Sequence, residues 1–545
     1  MKLRKLFLVL VLGIAAVLAM SGCRTEDPEP AQVAPEQTQA PQQDAPAATP
    51  EPVAERPDLH YEIMFIISQD RIPDRPCLIE AKLIEDFGII PTWIDTPETG
   101  LDERITLLFA SGMAPDVVWP MGVNTQNPAI RRLMTDGFLY PVSNHFDRMP
   151  NFRALWTDEE YAMLYEFAAT ATGNIYFVPA RGFRTAGMTW IYRRSAFEEM
   201  GLEFPETLDD LWNVFTVIKE HHPDSVPMAN RGIWGVLQGI AHAHLIPTGQ
   251  SGTMSYIHPR TGEFVGSAAT SQEMRDTFIF GYDMFSYGFI DREFATMNDQ
   301  LWTQRHANGL TFIEYSFAER ADWASMQARD VDPDVEWAWT TNSITAQPDG
   351  AFTFDFENPS GGGSGVLFNV DLDQERLFRM LEFFDWTTTD EGSFFVHMGL
   401  EGVTYEYVDG QAQFMPHMFH QDRNPSGTPN WRYGLHAPQL IFHPVALREI
   451  ARDMYLDVSR EFAENPLALH FRPIAWRFED SNEERQVNDL RVVVQDVANE
   501  FMLRFVMGEL DPRNDADWNT YVDAMERAGL RNLEDLRHEI YSRNS

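Results

Sequence analysis

The chain has 545 residues, with 82 acidic against 42 basic side chains and a formal charge of −40 at pH 7. Such a field repels phosphate backbones and argues against a nucleic-acid partner. Its two cysteines, Cys23 and Cys77, leave no room for a disulfide framework or a cysteine-based metal centre.

The first 23 residues read MKLRKLFLVLVLGIAAVLAMSGC. Lys2, Arg4 and Lys5 precede an apolar run over 6–20, which has the length of a signal h-region. It is shorter than the roughly 20 residues that a permanent membrane-crossing helix needs. The run ends in Met20-Ser21-Gly22-Cys23, which resembles a bacterial lipobox. That resemblance implies a signal peptide over 1–22 and a diacylated Cys23 as the mature N-terminus; an ordinary secretory peptide with an incidental cysteine is the competing reading. Two acyl chains suffice for stable anchoring, so the expected location is the extracytoplasmic face of the cell membrane. Removal of residues 1–22 takes three basic groups and no acid, leaving 39 basic against 82 acidic groups and a charge of −43. Residues 23–57 are rich in Pro, Gln and Ala and lack aromatics, so they are expected to form a disordered tether. Lys2, Lys5, Lys82 and Lys219 are the only lysines, a composition that suits either a high-salt habitat or a merely acidic secreted protein.

From residue 58 onward nearly 490 residues remain, too many for one core. An apolar run over 60–67 predicts a strand, 78–87 a helix, 89–94 a strand, 101–111 a helix and 114–119 a third strand. This alternation predicts an α/β lobe with a mostly parallel sheet, whose ligands sit beyond the carboxyl ends of the strands, here 68–70 and 119–124. Thr207-Leu208-Asp209-Asp210 has the pattern of a capping box, and Leu208, Leu211, Trp212, Phe215 and Ile218 follow at helical spacing. Further helices are expected over 271–287, after a cap at Asp373, and through much of the chain from about 440, including 487–507 and the stretch from 517. Gly361-Gly362-Gly363-Ser364-Gly365 is a flexible loop with no Lys-Ser/Thr to make it a phosphate loop.

Four segments in this order resemble extracellular solute-binding proteins, the lipid-anchored ligand receptors of ABC importers. They are LFASGMAPDVVW (108–119), WIYRRSAFEEMGLEFPETLDDLW (190–212), YGFID (287–291), and EFFDWTTTDEG (382–392) followed by GLEGVTY (399–405). Together they span about residues 60–410 and are most similar to Gram-positive lipoproteins of carbohydrate importers. The resemblance implies an α/β, two-lobe periplasmic-binding-protein-like fold of type II, with a hinge and a helical C-terminal region. Lobe one is then expected over 58–182 plus 341–400, and lobe two over 183–340 plus 401–545. Crossovers are expected near 176–190 and 335–340. It also implies an ABC permease as partner, an oligosaccharide or related small molecule as ligand, a monomer, and no cofactor. Many relatives carry an acidic calcium loop after the PETLDEL helix. Here 221–235 keeps Asp224 alone among obvious carboxylate ligands, so no metal is expected.

Sugar rings present an apolar C–H face and a hydroxyl rim, which aromatic platforms, guanidinium forks and carboxylates recognise. The candidate ligand-binding residues are Trp119 at a strand end, Asn124 in the same loop, Arg181 and Arg184 at the first crossover, Trp234, Trp339 and Trp431 as further platforms, and Glu401 in the GLEGVTY segment. Asp70 and Arg423 rank below these, and Trp212 and Trp323 read as core. A secreted glycan hydrolase and a peptide-binding receptor are the alternative functions; no catalytic residue is assigned. A metal-receptor reading could cite His242 and His244, which would share a face if His242-Ala243-His244 were a strand; such a pair more often reflects a half-buried strand or a solvated loop. His538-Glu539 lacks the second histidine of a metalloprotease helix, and no Gly-x-Ser-x-Gly elbow occurs.

Overall fold

The computed structural model describes residues 56–67, 72–97, 100–120, 127–181, 188–229, 233–246, 252–318, 320–354, 365–419, 431–435, 458, 460–462, 464–470, 474 and 476–544. Its first sheet has five strands in the order Ile89–Thr96, Leu59–Ile66, Val117–Pro120, Gly365–Phe368, Phe177–Pro179. The first three are parallel, with Leu59 opposite Ile89, Ile66 opposite Thr96 and Ile63 opposite Val117. Gly365–Phe368 runs antiparallel to both of its neighbours. The helix Leu78–Phe87 buries Ile79, Leu83 and Phe87 along one stripe. Gly88, at φ 61°, turns the chain out of the helix in the left-handed region, and the next strand starts one residue later. The Asp373 carboxylate accepts the Arg376 N–H and so caps Gln374–Trp386, which buries Leu377, Met380, Leu381, Phe383 and Phe384.

The second sheet places Met188–Arg193 between Ile313–Phe317 and Trp337–Thr340, antiparallel to each. Trp190, Phe215, Phe278, Phe505 and Tyr521 belong to a second hydrophobic core beside it. The expected capping box is present: Thr207 Oγ1 accepts the Asp210 N–H, and the Asp210 carboxylate accepts the Thr207 N–H. The helix Leu208–His221 then buries Leu211, Val214, Phe215 and Ile218. The helix Ile233–Ala243 lies so close to the sheet that a Cβ on Gly239 would stand 2.4 Å from the Trp190 ring. His242 closes that helix rather than a strand, because Val236, Leu237, Ile240 and Ala243 bury a face of helical period. Its ring is hydrogen-bonded to the Tyr315 hydroxyl at 2.8 Å.

The first core gathers residues between Tyr61 and Val178, between Val366 and Val396, and Leu435; the second gathers residues between Trp190 and Ile344 and between Val487 and Ile540. Two stretches lie close to the expected lobe boundaries. Ile344 belongs to the second core, and the Thr345 carbonyl accepts the Leu208 N–H at 3.3 Å. The hairpin Tyr405–Val408/Gln411–Phe414 packs its inner face with Met398, Met418 and Phe394, beside Tyr433 on the first core. Asp409 and Gly410, at φ 52° and 80°, supply the two left-handed residues that such a two-residue turn requires. Of the expected C-terminal helices, Ser481–Val506, Asp515–Ala528 and Leu530–Asn544 are present, whereas 436–457 lies outside the described residues. No helix among the described residues is long and apolar enough to cross a membrane.

One helix joins the cores. The far half of Ser481–Val506 buries Val494, Ala498, Phe501 and Phe505 in the second core. Its first turns meet Pro128–Thr135, a helix whose Ile130, Leu133 and Met134 belong to the first. There Glu484, with its side chain 0% exposed, pairs with Arg131 at 2.5 Å. It also accepts the Ala171 N–H at 2.9 Å, while Arg131 donates to the carbonyls of Ala168 (3.3 Å) and Ala169 (3.5 Å). Arg485–Asp136 (3.1 Å), Arg132–Asp489 (4.0 Å) and Arg477–Glu166 surround this pair nearer solvent.

Removing one partner of such a buried pair strands the other charge. Glu484→Ala is therefore expected to cost about 3–5 kcal/mol of stability in chemical denaturation, whereas the apolar double replacement Arg131→Met/Glu484→Leu recovers most of that loss. A single mutant as stable as the parent would contradict the burial described here.

Candidate functional site

The carboxyl ends of Leu59–Ile66, Ile89–Thr96 and Val117–Pro120 lie at one edge of the first sheet, the place where ligands sit on open parallel sheets. From the first strand the chain runs to the start of Leu78–Phe87, and the short segment Trp431–Tyr433 lies against it. The Asp74 N–H donates to the Arg432 carbonyl at 2.9 Å, and the two side chains pair at 3.6 Å. Gly434, at φ 71°, brings its backbone so near Cys77 that a Cβ there would stand 2.5 Å from the thiol sulfur. Between these segments lies a cavity of about 330 Å³, walled by Pro76, Leu78, Ala81, Val403, Arg432 and Tyr433.

Beside the cavity the Arg75 guanidinium lies 4.3 Å from the centre of the Trp93 ring. It donates to Asp95 at 2.7 Å and stands 3.9 Å from Glu80. The Trp93 indole N–H donates to the same Glu80 carboxylate at 3.2 Å. Trp93 and Asp95 are two residues apart on one strand, so the pleat turns both to the same face. Fork-shaped donors, carboxylate acceptors and aromatic faces thus stand together at the strand ends. Hydroxyl groups need both donors and acceptors, and C–H faces need flat apolar surface, so the arrangement is chemically suited to a sugar.

The residues expected from sequence fall in different places. Trp119 is a core residue, 0% exposed, with its ring 5.1 Å from Phe384, 5.8 Å from Phe383 and 5.8 Å from Trp93. Its strand lies inside the sheet with helices packed on it, so the pleat offers that side chain no open face. Arg181 follows the edge strand Phe177–Pro179 and donates to both carboxylate oxygens of Glu160, at 3.0 and 3.2 Å. The Thr157 N–H above all, and then Arg181, hold the Glu160 carboxyl below the usual carboxylate range. Glu401 is exposed in the turn that leads to Val403 of the cavity wall; the Thr404 hydroxyl braces that turn by accepting the Leu400 N–H at 2.8 Å. Trp339 is half-buried on the second sheet, between Ala318 and Phe352 on one side and Ile191 and Trp337 on the other. Asn124, Arg184, Asp70, Arg423 and Cys23 lie outside the described residues, as do the side chains of Trp234 and Trp431. Trp323 stacks on Trp302 with centroids 4.0 Å apart, and Trp212 packs on Phe289 at 4.8 Å, both as core residues.

Arg75, Trp93, Asp95, Arg432 and Tyr433 were not anticipated. Trp93 and Asp95 end a recognisable strand and share a parity, the signal that would have found them. Nothing local marks Arg432 and Tyr433, which reach the site from more than 330 residues along the chain from Trp93 and Asp95. Among the described residues no group of three or more His, Cys, Asp or Glu side chains has the arrangement of a metal site.

No family model matches the chain. It is 22% identical to lipoprotein LipO of Bacillus subtilis (strain 168) over 349 residues, 58% of this chain and 62% of that one. It is 23% identical over 524 residues, 92% of each chain, to the polygalacturonan/rhamnogalacturonan-binding protein YtcQ of the same organism. Among solved structures, the alginate-binding protein AlgQ2 without calcium ion superposes with a TM-score of 0.71 at 17% identity, covering 90% of this chain and 99% of that one. The fold is therefore the α/β two-lobe solute-binding-protein fold.

Cys77 forms part of the cavity wall but is only 5% exposed, and burial pushes its thiol pKa up. The thiolate is the reactive form. At pH 8 the folded protein is therefore expected to leave Cys77 unalkylated by iodoacetamide over a period in which the denatured chain is fully labelled, as read by mass spectrometry.

Proposed function

We propose that this chain is a lipid-anchored receptor on the extracytoplasmic face of the cell membrane, which captures an oligosaccharide between two lobes and delivers it to an ABC permease. The observation that carries this reading is a 330 Å³ cavity lined by Asp74, Arg432 and Tyr433, with the Arg75–Trp93–Asp95 group starting at the next residue along the chain. The cluster lies within a fold shared along 90% of the chain with an alginate-binding protein. Two relatives support the class, one named for binding polygalacturonan and rhamnogalacturonan and one named a lipoprotein.

In this reading Cys23 carries the acyl chains and residues 23–57 form the leash. Lobe one consists of 58–181 and 365–435, and lobe two of 188–354 and the residues from 458 on, as the two cores suggest. The cavity residues, with Arg181 and Glu401, form the lobe-one wall of the cleft, and Trp339 belongs to the opposite lobe. Asn124, Arg184, Trp234 and Trp431 join them by their positions in the chain, Trp431 directly before Arg432. A sugar hydroxyl accepts from a guanidinium N–H and donates to the carboxylate paired with it, while the pyranose C–H face lies on aromatic or apolar wall. Ligand bound to both lobes favours the closed arrangement because only that arrangement makes both sets of contacts. The process is capture without turnover.

A glycan panel tests this on the detergent-purified protein. A cognate oligosaccharide at a hundred times its dissociation constant should stabilise the fold by about 2.7 kcal/mol, with a matching rise in melting temperature. Arg432→Ala should weaken binding at least about tenfold, or about 1.4 kcal/mol, while the unliganded melting temperature stays unchanged. Release of reducing ends would favour a hydrolase, and stabilisation by peptides alone would favour a peptide receptor.

A further inference from the structure

We infer that the site selects uncharged oligosaccharides and disfavours those carrying uronate groups, an inference that rests on the sugar-receptor reading above. Each arginine described at the strand-end rim already has a carboxylate partner. Arg75 pairs with Asp95 at 2.7 Å and stands 3.9 Å from Glu80, Arg432 pairs with Asp74 at 3.6 Å, and Arg181 pairs with Glu160 at 3.0 Å. Among the described residues, three guanidinium groups thus face four carboxylates, and exposed Glu401 stands two residues before Val403 of the cavity wall.

The two ligand classes make opposite demands on such pairs. A hydroxyl both donates and accepts, so a guanidinium–carboxylate pair serves it completely. A uronate carboxylate accepts only; beside each guanidinium it meets a second carboxylate, and like charges at that distance repel. The remaining wall, formed by Pro76, Leu78, Ala81, Val403 and the Tyr433 ring, offers apolar surface suited to a C–H face rather than to a charge. The chain's formal charge of −40 acts in the same direction at longer range, lowering the local concentration of polyanions and their association rate. Both effects weaken with salt, since the screening length falls from about 8 Å at physiological ionic strength to about 3 Å at 1 M.

Calorimetry on the full chain in detergent tests this with tetragalacturonate, the same tetramer with its carboxyl groups reduced to primary alcohols, and a neutral panel of fructo-, gluco- and manno-oligosaccharides. The expected result is that a neutral compound binds at least about tenfold more tightly than tetragalacturonate at 0.15 M salt, and that the gap narrows at 1 M. The double variant Asp74→Asn/Asp95→Asn, which frees two guanidinium groups, should shift the ratio towards tetragalacturonate by about tenfold or more. Tetragalacturonate binding as tightly as every neutral compound, or a ratio unmoved in the double variant, would overturn the selectivity while leaving the receptor reading intact. Absence of binding by every glycan, acidic and neutral, would instead remove the receptor reading, and the selectivity with it.

Discussion

The contact on which the arrangement of the two cores depends is the pair between Arg131 and Glu484. Each sheet closes its own core, and the helix Ser481–Val506 packs in the second while its first turns meet the first-core helix Pro128–Thr135 through Glu484 and Arg131. A buried ion pair is rarely a source of net stability, because desolvating two charges offsets most of their attraction. What it supplies is position. A carboxylate that must receive both a guanidinium and the Ala171 N–H has one acceptable place, and so does a guanidinium that must also reach the carbonyls of Ala168 and Ala169. A greasy contact would tolerate sliding by a fraction of a turn; this one does not. The surrounding surface pairs contribute little energy each and keep water from the central pair.

The strand-end rim follows a related rule in a wetter setting. Arg75 lies on Trp93 and is held by Asp95, so its orientation is set before any ligand arrives. Side chains held this way lose little freedom when a ligand binds, which is what allows a weakly hydrophobic molecule such as a sugar to be retained at all. The same pairing that orients the donors also neutralises them. Positioning and selectivity at this site therefore have one cause.

Local chemistry was legible in the sequence wherever it was itself local. The capping box at Thr207 and Asp210, the cap at Asp373 and the helix over 78–87 occur where the spacing placed them, because a cap needs only neighbours three residues away. The α/β alternation and the order of family-like segments likewise pointed to the fold that the structural likeness shows. The site was legible only in part. A tryptophan at a strand end has two possible faces, and what decides between them is whether the strand is interior, a property of the sheet order. Trp119 lies in an interior strand and was drawn into the aromatic core, while Trp93, on the edge strand, stands at the rim. Arg432 and Tyr433 were invisible because their relation to Asp74 and Cys77 exists only after the chain returns from the second core. Where a boundary segment packs is hidden for a similar reason: the Thr345 carbonyl and the hairpin after Met398 find their neighbours by tertiary contact, not by composition.

The bridging helix also imposes an order in time. Glu484 lies 313 residues beyond the backbone amide of Ala171 that it receives. Synthesis proceeds from the N-terminus, so every group that waits for Glu484 in the first core exists long before Glu484 does. Arg131 must remain hydrated through that interval, and the second core lacks Val494, Phe501 and Phe505 until the same helix emerges. Completion of one core and its fastening to the other are thus a single late event. A chain interrupted shortly before residue 481 would hold all the residues of the first core but an unfinished second core, and would present the open apolar face of the second to whatever quality-control machinery it meets.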